Sequence, residues 1–322
     1  MPELLETSKV HGFFLADLFG RYTCLSEFDV PSSFKNCRNL QDVILELSKL
    51  YTGLNSSKNI LDLKKKLLVN LKKEISEFGS SPYLSYFTDY YTIQLIFSLL
   101  EEKKNVDFTR ENENTSIQKR KITEEIGYFE ELKCTNLCKN FQEFRSFVLK
   151  YSGVEKFFEV DVNNDFKENN FERIYLQVMK NYYEHYAELI RIGVMEGYFS
   201  EILSEEIGFF IMEMILNTQK SVEEFKIDNK IKEFLPMSSS RTISIDKITD
   251  ISEMKKIFGI SHQNIHEGIV ERQKKVYSRS FGIFGDLSTI YCYLKLREIQ
   301  INEIIFEVNK ILNHEDHEIE EE

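Results

Sequence analysis

The stretch of sequence that precedes the acidic end, residues 285–312, places apolar side chains at helical intervals. At about 100° per residue these side chains share one face, and they are Leu287, Ile290, Tyr291, Leu294, Ile301, Ile305, Val308 and Leu312. Glu298 falls inside this apolar stripe, between Leu294 and Ile301. A carboxylate on a buried face is costly unless a partner neutralises it. The pattern therefore predicts a long buried helix with a partner for Glu298.

Helical spacing recurs through most of the remaining chain. Asn39 is positioned to cap one predicted helix, and Ser204 is positioned to cap another. Ser80-Ser81-Pro82 is typical of a helix entry. Helices are predicted over residues 39–51, 60–75, 80–102, 171–190 and 204–221.

Two stretches interrupt the helical pattern. Residues 101–125 are highly polar, with few large apolar side chains, and residues 236–246 are typical of a loop. No alternating strand pattern persists, and only 13 glycines and 4 prolines punctuate the 322 residues. We therefore expect an all-α protein.

Charge and composition narrow the classes of partner. The net charge is −12, from 41 Lys and Arg against 53 Asp and Glu, which disfavours nucleic acid and anionic lipid. The five cysteines, an odd number without a Cys-x-x-Cys motif, are expected to be reduced thiols.

The N-terminus lacks the basic flank of a signal peptide. The longest uncharged apolar run, residues 90–100, is too short to span a bilayer and predicts a buried helix.

Signatures of catalysis and metal binding are sparse. The sequence lacks the P-loop, H-E-x-x-H and G-x-S-x-G motifs. His262 and His266 stand four residues apart and His314 and His317 lie in the acidic end, but two ligands make a poor metal site, so we expect surface histidines. The aromatic run at residues 83–91 could line a ligand cavity or pack as core. These residues therefore predict no catalytic, cofactor-binding or metal site.

The final predicted helix carries the run Lys295-Leu296-Arg297-Glu298-Ile299-Gln300-Ile301-Asn302-Glu303-Ile304. Further segments that precede it, in order, are Gly12-Phe13, Cys37 with Leu40 and Asp42, residues 83–93, 153–159, 175–189 and 230–241. Together they resemble the d subunit family of V-type proton-pumping ATPases, which includes the C subunits of prokaryotic rotary ATPases. That family carries Lys-Leu-Lys-Glu-x-Glu-x-Arg-Asn-Ile in its last helix. Arg297, Glu298 and Ile304 match this run, and Gln300 stands where the family has a glutamate.

The resemblance implies a single all-helical domain of three lobes in a pseudo-threefold arrangement that forms a funnel. The corresponding lobes are approximately 1–125, 126–240 and 241–322. The resemblance also implies a non-catalytic subunit of the membrane sector that has no cofactor or metal. Such a subunit couples the central stalk to the rotating proteolipid ring. Expected partners are the proteolipid c-ring and the central-stalk subunits D and F, with subunit a as a further candidate. The expected location is the cytoplasmic face of a vacuolar or endosomal membrane, as a peripheral protein.

Arg297, Glu298 and Gln300 are the candidate structural or interface residues. Glu298 is expected either to pair with a basic group from a neighbouring helix of its own lobe or to face the funnel and meet a basic stalk residue. Arg297, at the edge of the apolar stripe, is expected to be a solvated neighbour or a contact residue.

Two other classes of protein stay open. An α-helical adaptor or scaffold outside the rotary pump predicts a repeat of about 30 to 50 residues. A helical enzyme of terpene-synthase type requires an aspartate cluster such as Asp-Asp-x-x-Asp. The sequence contains neither feature.

Overall fold

The computed structural model describes residues 2–104, 153–158, 171–218, 265–283 and 285–319, with single positions at 146, 150 and 256. Within these residues 81% are helical and no strand is present, which confirms the predicted all-α class. The described α-helices are α1 Pro2–Glu27, α2 Val30–Phe34, α3 Leu40–Leu47, α4 Ile60–Glu77, α5 Pro82–Lys104, α6 Phe171–Arg191, α7 Phe199–Thr218, α8 Ile265–Arg279 and α9 Thr289–Ile319. Short 3-10 turns lie at Leu54–Ser56, Glu155–Phe158 and Ser280–Gly282.

The chain forms two compact units that are not consecutive halves of the sequence. Unit 1 contains the described residues of Met1–Lys156 and Tyr293–Glu322, and unit 2 contains those of Phe157–Cys292. Helix α9 begins in unit 2 and belongs to unit 1 from Tyr293 onward. The predicted lobe boundaries after residues 125 and 240, and the predicted loop at 236–246, lie outside the described residues. The three-lobed funnel therefore stays a prediction.

Two asparagine caps start helices of unit 1. The Asn39 side-chain oxygen accepts a hydrogen bond from the backbone N–H of Asp42 at 3.0 Å, which confirms the predicted cap of α3. Asn59 caps α4 in the same way, with a distance of 2.8 Å to the Asp62 backbone nitrogen. Each cap satisfies an N–H group that the first helical turn leaves unpaired. Helix α3 ends at Leu47, earlier than predicted. The segment that follows it is not α-helical, and Tyr51 in this segment is buried.

Helices α4 and α5 contribute to the core of unit 1, together with α3 and the part of α9 from Tyr293 onward. Helix α4 buries the face that its sequence predicts, which consists of Leu63, Leu67, Leu68, Leu71 and Ile75. Helix α5 begins at Pro82, as the Ser-Ser-Pro entry predicts, and buries side chains on several sides. These include Tyr83, Leu84, Tyr86, Phe87, Ile93, Leu95, Ile96 and Phe97. The aromatic run of α5 therefore packs mainly as core, where each buried large apolar side chain contributes about 1.5–3 kcal/mol.

Unit 2 contains a cluster of aromatic rings on α6. Tyr182 and Tyr186 are fully buried, with ring centroids 5.1 Å apart. Phe157 from the 3-10 turn packs edge-on against Tyr182 at 5.5 Å. Edge-to-face pairs of this kind contribute about 0.5–1.5 kcal/mol beyond the area that they bury. The cluster fixes the 3-10 turn against α6.

Helix α7 begins at Phe199, and the prediction that it begins at a Ser204 cap is wrong. The cause is Asp286, a buried residue that is distant in sequence. One carboxylate oxygen of Asp286 accepts from the Tyr198 backbone N–H at 2.8 Å, and the other accepts from the Ser288 backbone N–H at 2.9 Å. Ser204 consequently lies inside the helix, because a tertiary contact satisfies the N–H just before it begins.

Gly197 permits this contact between two loops of unit 2. Its φ is +72°, in the left-handed region that favours glycine. A Cβ atom at this position would lie 2.8 Å from Asp286 Oδ1, which is closer than a carbon atom tolerates. Only a residue without a side chain therefore lets the Asp286 carboxylate reach the backbone that starts α7.

Helix α9 is buried more widely than the predicted single stripe. Ile290, Leu294, Ile301 and Val308 of that stripe are buried, and Ile305 is half-buried. From residue 290 to residue 301 every side chain is buried except two half-buried ones, Lys295 and Glu298. The polar residues of this span therefore need internal partners, and these partners define the candidate site.

Candidate functional site

The structure places two of the three predicted residues, Arg297 and Gln300, in one buried polar network of unit 1. Arg297 lies one turn before Gln300 on α9 and is 8% exposed, so it is not a solvated neighbour. Its Nη1 donates to Gln300 Oε1 at 2.7 Å and to the Tyr51 hydroxyl at 2.7 Å. The Tyr51 hydroxyl in turn donates to Gln300 Oε1 at 2.8 Å, which closes a triangle of hydrogen bonds.

The charge of Arg297 is balanced by Glu74 of α4. Arg297 Nη2 donates to Glu74 Oε1 at 2.7 Å, and Nε donates to Glu74 Oε2 at 3.3 Å. This is the bidentate geometry that a guanidinium forms with a carboxylate. The Tyr293 hydroxyl also donates to Glu74 Oε2, at 2.9 Å. We call these five residues, Tyr51, Glu74, Tyr293, Arg297 and Gln300, the Arg297 network.

Electrostatics keep the arginine and the two tyrosines of the Arg297 network in one protonation state each. Burial by itself lowers the pKa of Arg297, but Tyr51 and Glu74 outweigh burial, so the pKa lies above its ordinary value and the guanidinium stays charged. Burial raises the pKa of Tyr51 and of Tyr293, so both phenols stay neutral and able to donate. The guanidinium also lies over the Tyr51 ring, 4.6 Å from its centroid, which adds a cation–π contact.

Glu298, the third predicted residue, lies outside the Arg297 network and has its own partner. Lys295 Nζ, one turn earlier on α9, donates to Glu298 Oε2 at 2.8 Å. Lys295 also lies 5.7 Å from the ring centroids of both Tyr90 and Tyr91 of α5. Among the contacts of the described residues, the carboxylate on the apolar stripe is thus paired within its own helix, and the expectation of a partner from a neighbouring helix is wrong. Burial, and then the negative charge of Glu298, raise the pKa of Tyr91 well above its ordinary value.

A cavity of about 270 Å³ borders the Arg297 network within unit 1. Its lining residues are Arg21, Cys24, Leu25, Leu50, Glu74, Tyr293, Arg297 and Gln300. Arg21 of α1 is held by Asp17 and by Glu77, with distances of 2.9 Å to each carboxylate. Cys24 is exposed, and its thiol is free. The cavity therefore joins a buried polar cluster to an accessible side of α1.

Sequence reasoning missed Tyr51, Glu74 and Tyr293 as members of the site. Glu74 carried a usable signal, because it lies three residues after Leu71 and so borders the apolar face of α4. The sequence around Tyr51 gave no such signal, because Tyr51 was predicted to be the last residue of a helix that in the structure ends at Leu47. The other candidate groups contribute less: His266 is exposed, and His262 lies outside the described residues.

The described part of the chain offers few other kinds of site. Within it, no helix is long and apolar enough to cross a membrane. It also contains no group of three or more His, Cys, Asp or Glu side chains placed to hold a metal ion. What the Arg297 network does chemically is to immobilise a buried cation between α4, α9 and the segment that carries Tyr51.

No protein-family model matches this sequence. No curated protein matches it either.

Proposed function

We propose that this chain is a non-catalytic coupling subunit of a V-type proton-pumping ATPase, similar to the d subunits. The observation that carries the proposal is the ordered resemblance that extends from Gly12-Phe13 to the run Lys295–Ile304. The all-helical fold of the described residues is compatible with it. In this role the chain forms three lobes around a funnel, on the cytoplasmic face of the proteolipid ring at a vacuolar or endosomal membrane. It holds the central-stalk subunits D and F, with subunit a as a further neighbour.

The Arg297 network supports this role on physical grounds. A subunit that transmits torque must resist deformation, and a buried polar network whose members are paired is stiff. Arg297 ties α9 to α4 through Glu74 and to the segment after α3 through Tyr51. We expect this stiffness to be useful where a subunit passes rotation between two partners.

The first experiment is affinity purification of the tagged full chain from its native membranes in mild detergent, followed by mass spectrometry. Recovery of a small proteolipid together with stalk and catalytic ATPase subunits is the expected result. Recovery of the chain alone, or with partners unrelated to a rotary pump, refutes the proposal. The second of these results would instead favour an adaptor role.

A second experiment separates coupling from mere assembly. In cells that carry only the variant chain, Glu74→Gln breaks the charge balance of the buried network, and Glu77→Gln removes a neighbouring carboxylate that binds the half-buried Arg21. We expect Glu74→Gln to lower the number of protons pumped per ATP hydrolysed in purified complexes, and Glu77→Gln to leave it unchanged. An unchanged ratio in Glu74→Gln complexes contradicts the coupling role of the network, even if fewer complexes assemble.

A further inference from the structure

The outer side of α4 combines basic and apolar side chains. Away from its buried leucines this helix exposes, in order, Leu61, Lys65, Val69, Lys72 and Lys73. We call these five residues the α4 face. Its two apolar side chains, Leu61 and Val69, are 49% and 48% exposed. Apolar side chains interleaved with cations are typical of a surface that an acidic amphipathic helix covers.

The acidic residues of α4 do not neutralise the α4 face. Asp62 pairs with Lys66 at 3.5 Å. Glu74 and Glu77 are engaged by arginines of other helices. The α4 face is therefore a basic strip on a chain whose net charge is −12. An extended anionic surface, such as a membrane or a nucleic acid, is repelled by the overall charge, whereas a narrow acidic helix meets the basic strip alone.

Residues 311–322 of the same sequence carry the complementary pattern, and we call them the acidic segment. The pattern consists of Ile311, Glu315, Ile319 and Glu322, at intervals of four, four and three residues. The first four residues of the α4 face have the same intervals, with an apolar residue matching each apolar one and a lysine matching each glutamate. Helix α9 extends to Ile319, so the first three positions fall on one side of it by their spacing. The acidic segment contains six acidic residues and no lysine or arginine.

The acidic segment does not reach the C-terminal half of the α4 face within one copy. Arg297 of α9 contacts Glu74, which directly follows Lys73. Residue 314 follows Arg297 by 17 positions, which is about 25 Å of helix. An ion pair needs its charged atoms within about 4 Å of each other. An acidic segment that covers Lys72 therefore belongs to a second copy of the chain.

We propose that two copies of this chain associate, and that the acidic segment of each copy lies along the α4 face of the other. The two helices run in parallel, because only this direction matches the shared intervals of four, four and three residues. Glu315 then faces Lys65 of the other copy, and Glu322 faces Lys72 of the other copy. The contact is reciprocal, as in a dimer with two-fold symmetry. It goes beyond the proposed pump role and does not rest on it.

A charge-swap experiment tests this pairing with the full-length protein. Sedimentation velocity at rising protein concentration should show the wild-type chain shifting from monomer to dimer. The double variants Lys65→Glu/Lys72→Glu and Glu315→Lys/Glu322→Lys each oppose like charges in a self-dimer, so each should associate about tenfold or more weakly. An equal mixture of the two variants matches opposite charges at both contacts and should restore the dimer. Because the paired groups are on the surface, added salt should also weaken the wild-type dimer.

A matched control separates this contact from a general effect of charge. The double variant Lys35→Glu/Lys275→Glu makes the same change in net charge at two exposed lysines outside the α4 face. It should dimerise as the wild-type chain does. If circular dichroism shows that a double variant does not fold, the single changes Lys72→Glu and Glu322→Lys repeat the swap.

Each outcome bears on the proposal. Weakening by both reversals together with recovery in their mixture supports it. A wild-type chain that stays monomeric at every concentration overturns it, as does a dimer that ignores both reversals or that the mixture does not restore. A monomer that sediments with phosphatidylserine vesicles through the α4 face also overturns it and assigns this face to anionic lipid. Copurification with a proton pump tests the proposed function separately, so the failure of one proposal leaves the other standing.

Discussion

Replacing Glu74 by glutamine tests whether the Arg297 network holds unit 1 together. The substitution keeps the shape of the side chain and removes its charge. Arg297 then remains as a buried cation without a counter-charge, since its other partners, Tyr51 and Gln300, are neutral. The two charged side chains are only 10% and 17% exposed, so solvent screens the pair weakly.

The magnitude follows from this burial. Removal of one partner from a buried ion pair costs about 3–5 kcal/mol. The glutamine oxygen still accepts one hydrogen bond, which recovers about 1 kcal/mol. We therefore expect a net loss of about 2–4 kcal/mol in the local stability of unit 1. Glu77→Gln, on the same helix, breaks a pair whose carboxylate side chain is 42% exposed, and should cost about 0–1 kcal/mol.

Hydrogen exchange by mass spectrometry is the appropriate assay, because a chain with two compact units need not unfold in one step. Peptides from α4 and from the unit 1 part of α9 report the opening of the network. A loss of about 2–4 kcal/mol corresponds to exchange that is about 30- to 900-fold faster at amides that exchange through this opening. Peptides of α6 and α7, in unit 2, are the reference.

Two results would refute the reasoning. Equal acceleration by Glu74→Gln and Glu77→Gln would mean that burial does not strengthen the Arg297 pair. A cost below about 1 kcal/mol for Glu74→Gln would mean that water in the cavity solvates the guanidinium after the carboxylate is lost.

Three further predictions concern other parts of the chain. Gly197→Ala should destabilise unit 2 by about 3 kcal/mol in thermal unfolding, because an alanine is strained at this positive φ and its Cβ displaces Asp286. Gly193→Ala, whose Cβ would meet no atom closer than 3.8 Å, is the control and should cost about 1 kcal/mol. Equal costs for the two substitutions would exclude the Asp286 contact as the cause. Asn59→Ala should remove the cap of α4 and cost about 1 kcal/mol, seen as faster amide exchange confined to the first turn of that helix, and unchanged exchange there would count against the cap. Burial raises the pKa of Tyr91 above 10.0, so the unfolded state loses this phenolic proton before the folded state does. The free energy of unfolding should therefore fall as the pH rises above about 10. In a pH titration followed by absorbance at 295 nm, Tyr91 should ionise late, together with the loss of helix. Ionisation of every tyrosine before the helices are lost would contradict this prediction.

The sequence predicted helix starts and buried faces correctly where residues of the helix itself, or the residue that caps it, determine them. The buried face of α4 follows from the spacing of Leu63, Leu67 and Leu71, and the start of α3 follows from Asn39, because periodicity and capping act within a few residues. The start of α7 could not be predicted in this way. It is set by Asp286, whose contact with Tyr198 spans 88 residues of sequence.

The candidate site was predicted only in part, for the same physical reason. The position of Glu298 on an apolar stripe indicated a paired carboxylate, but the predicted partner from a neighbouring helix is wrong, because Glu298 pairs with Lys295 one turn earlier on the same helix. The role of Arg297 depends on Glu74, which is 223 residues away in sequence. Nothing local distinguishes Glu74 from the other charged residues that surround it on α4, apart from its place beside Leu71.

The division of unit 1 into two separated parts of the sequence has a consequence for biosynthesis. Glu74 leaves the ribosome long before Arg297, which follows it by 223 positions in the sequence. At about 5–20 residues per second this interval lasts about 10–45 s. During this time α4 and α5 expose their apolar faces without α9, while the sequence of unit 2 is completed first. We therefore expect nascent unit 1 to depend on chaperones until its last helix emerges, and fragments that stop at residue 156 to aggregate.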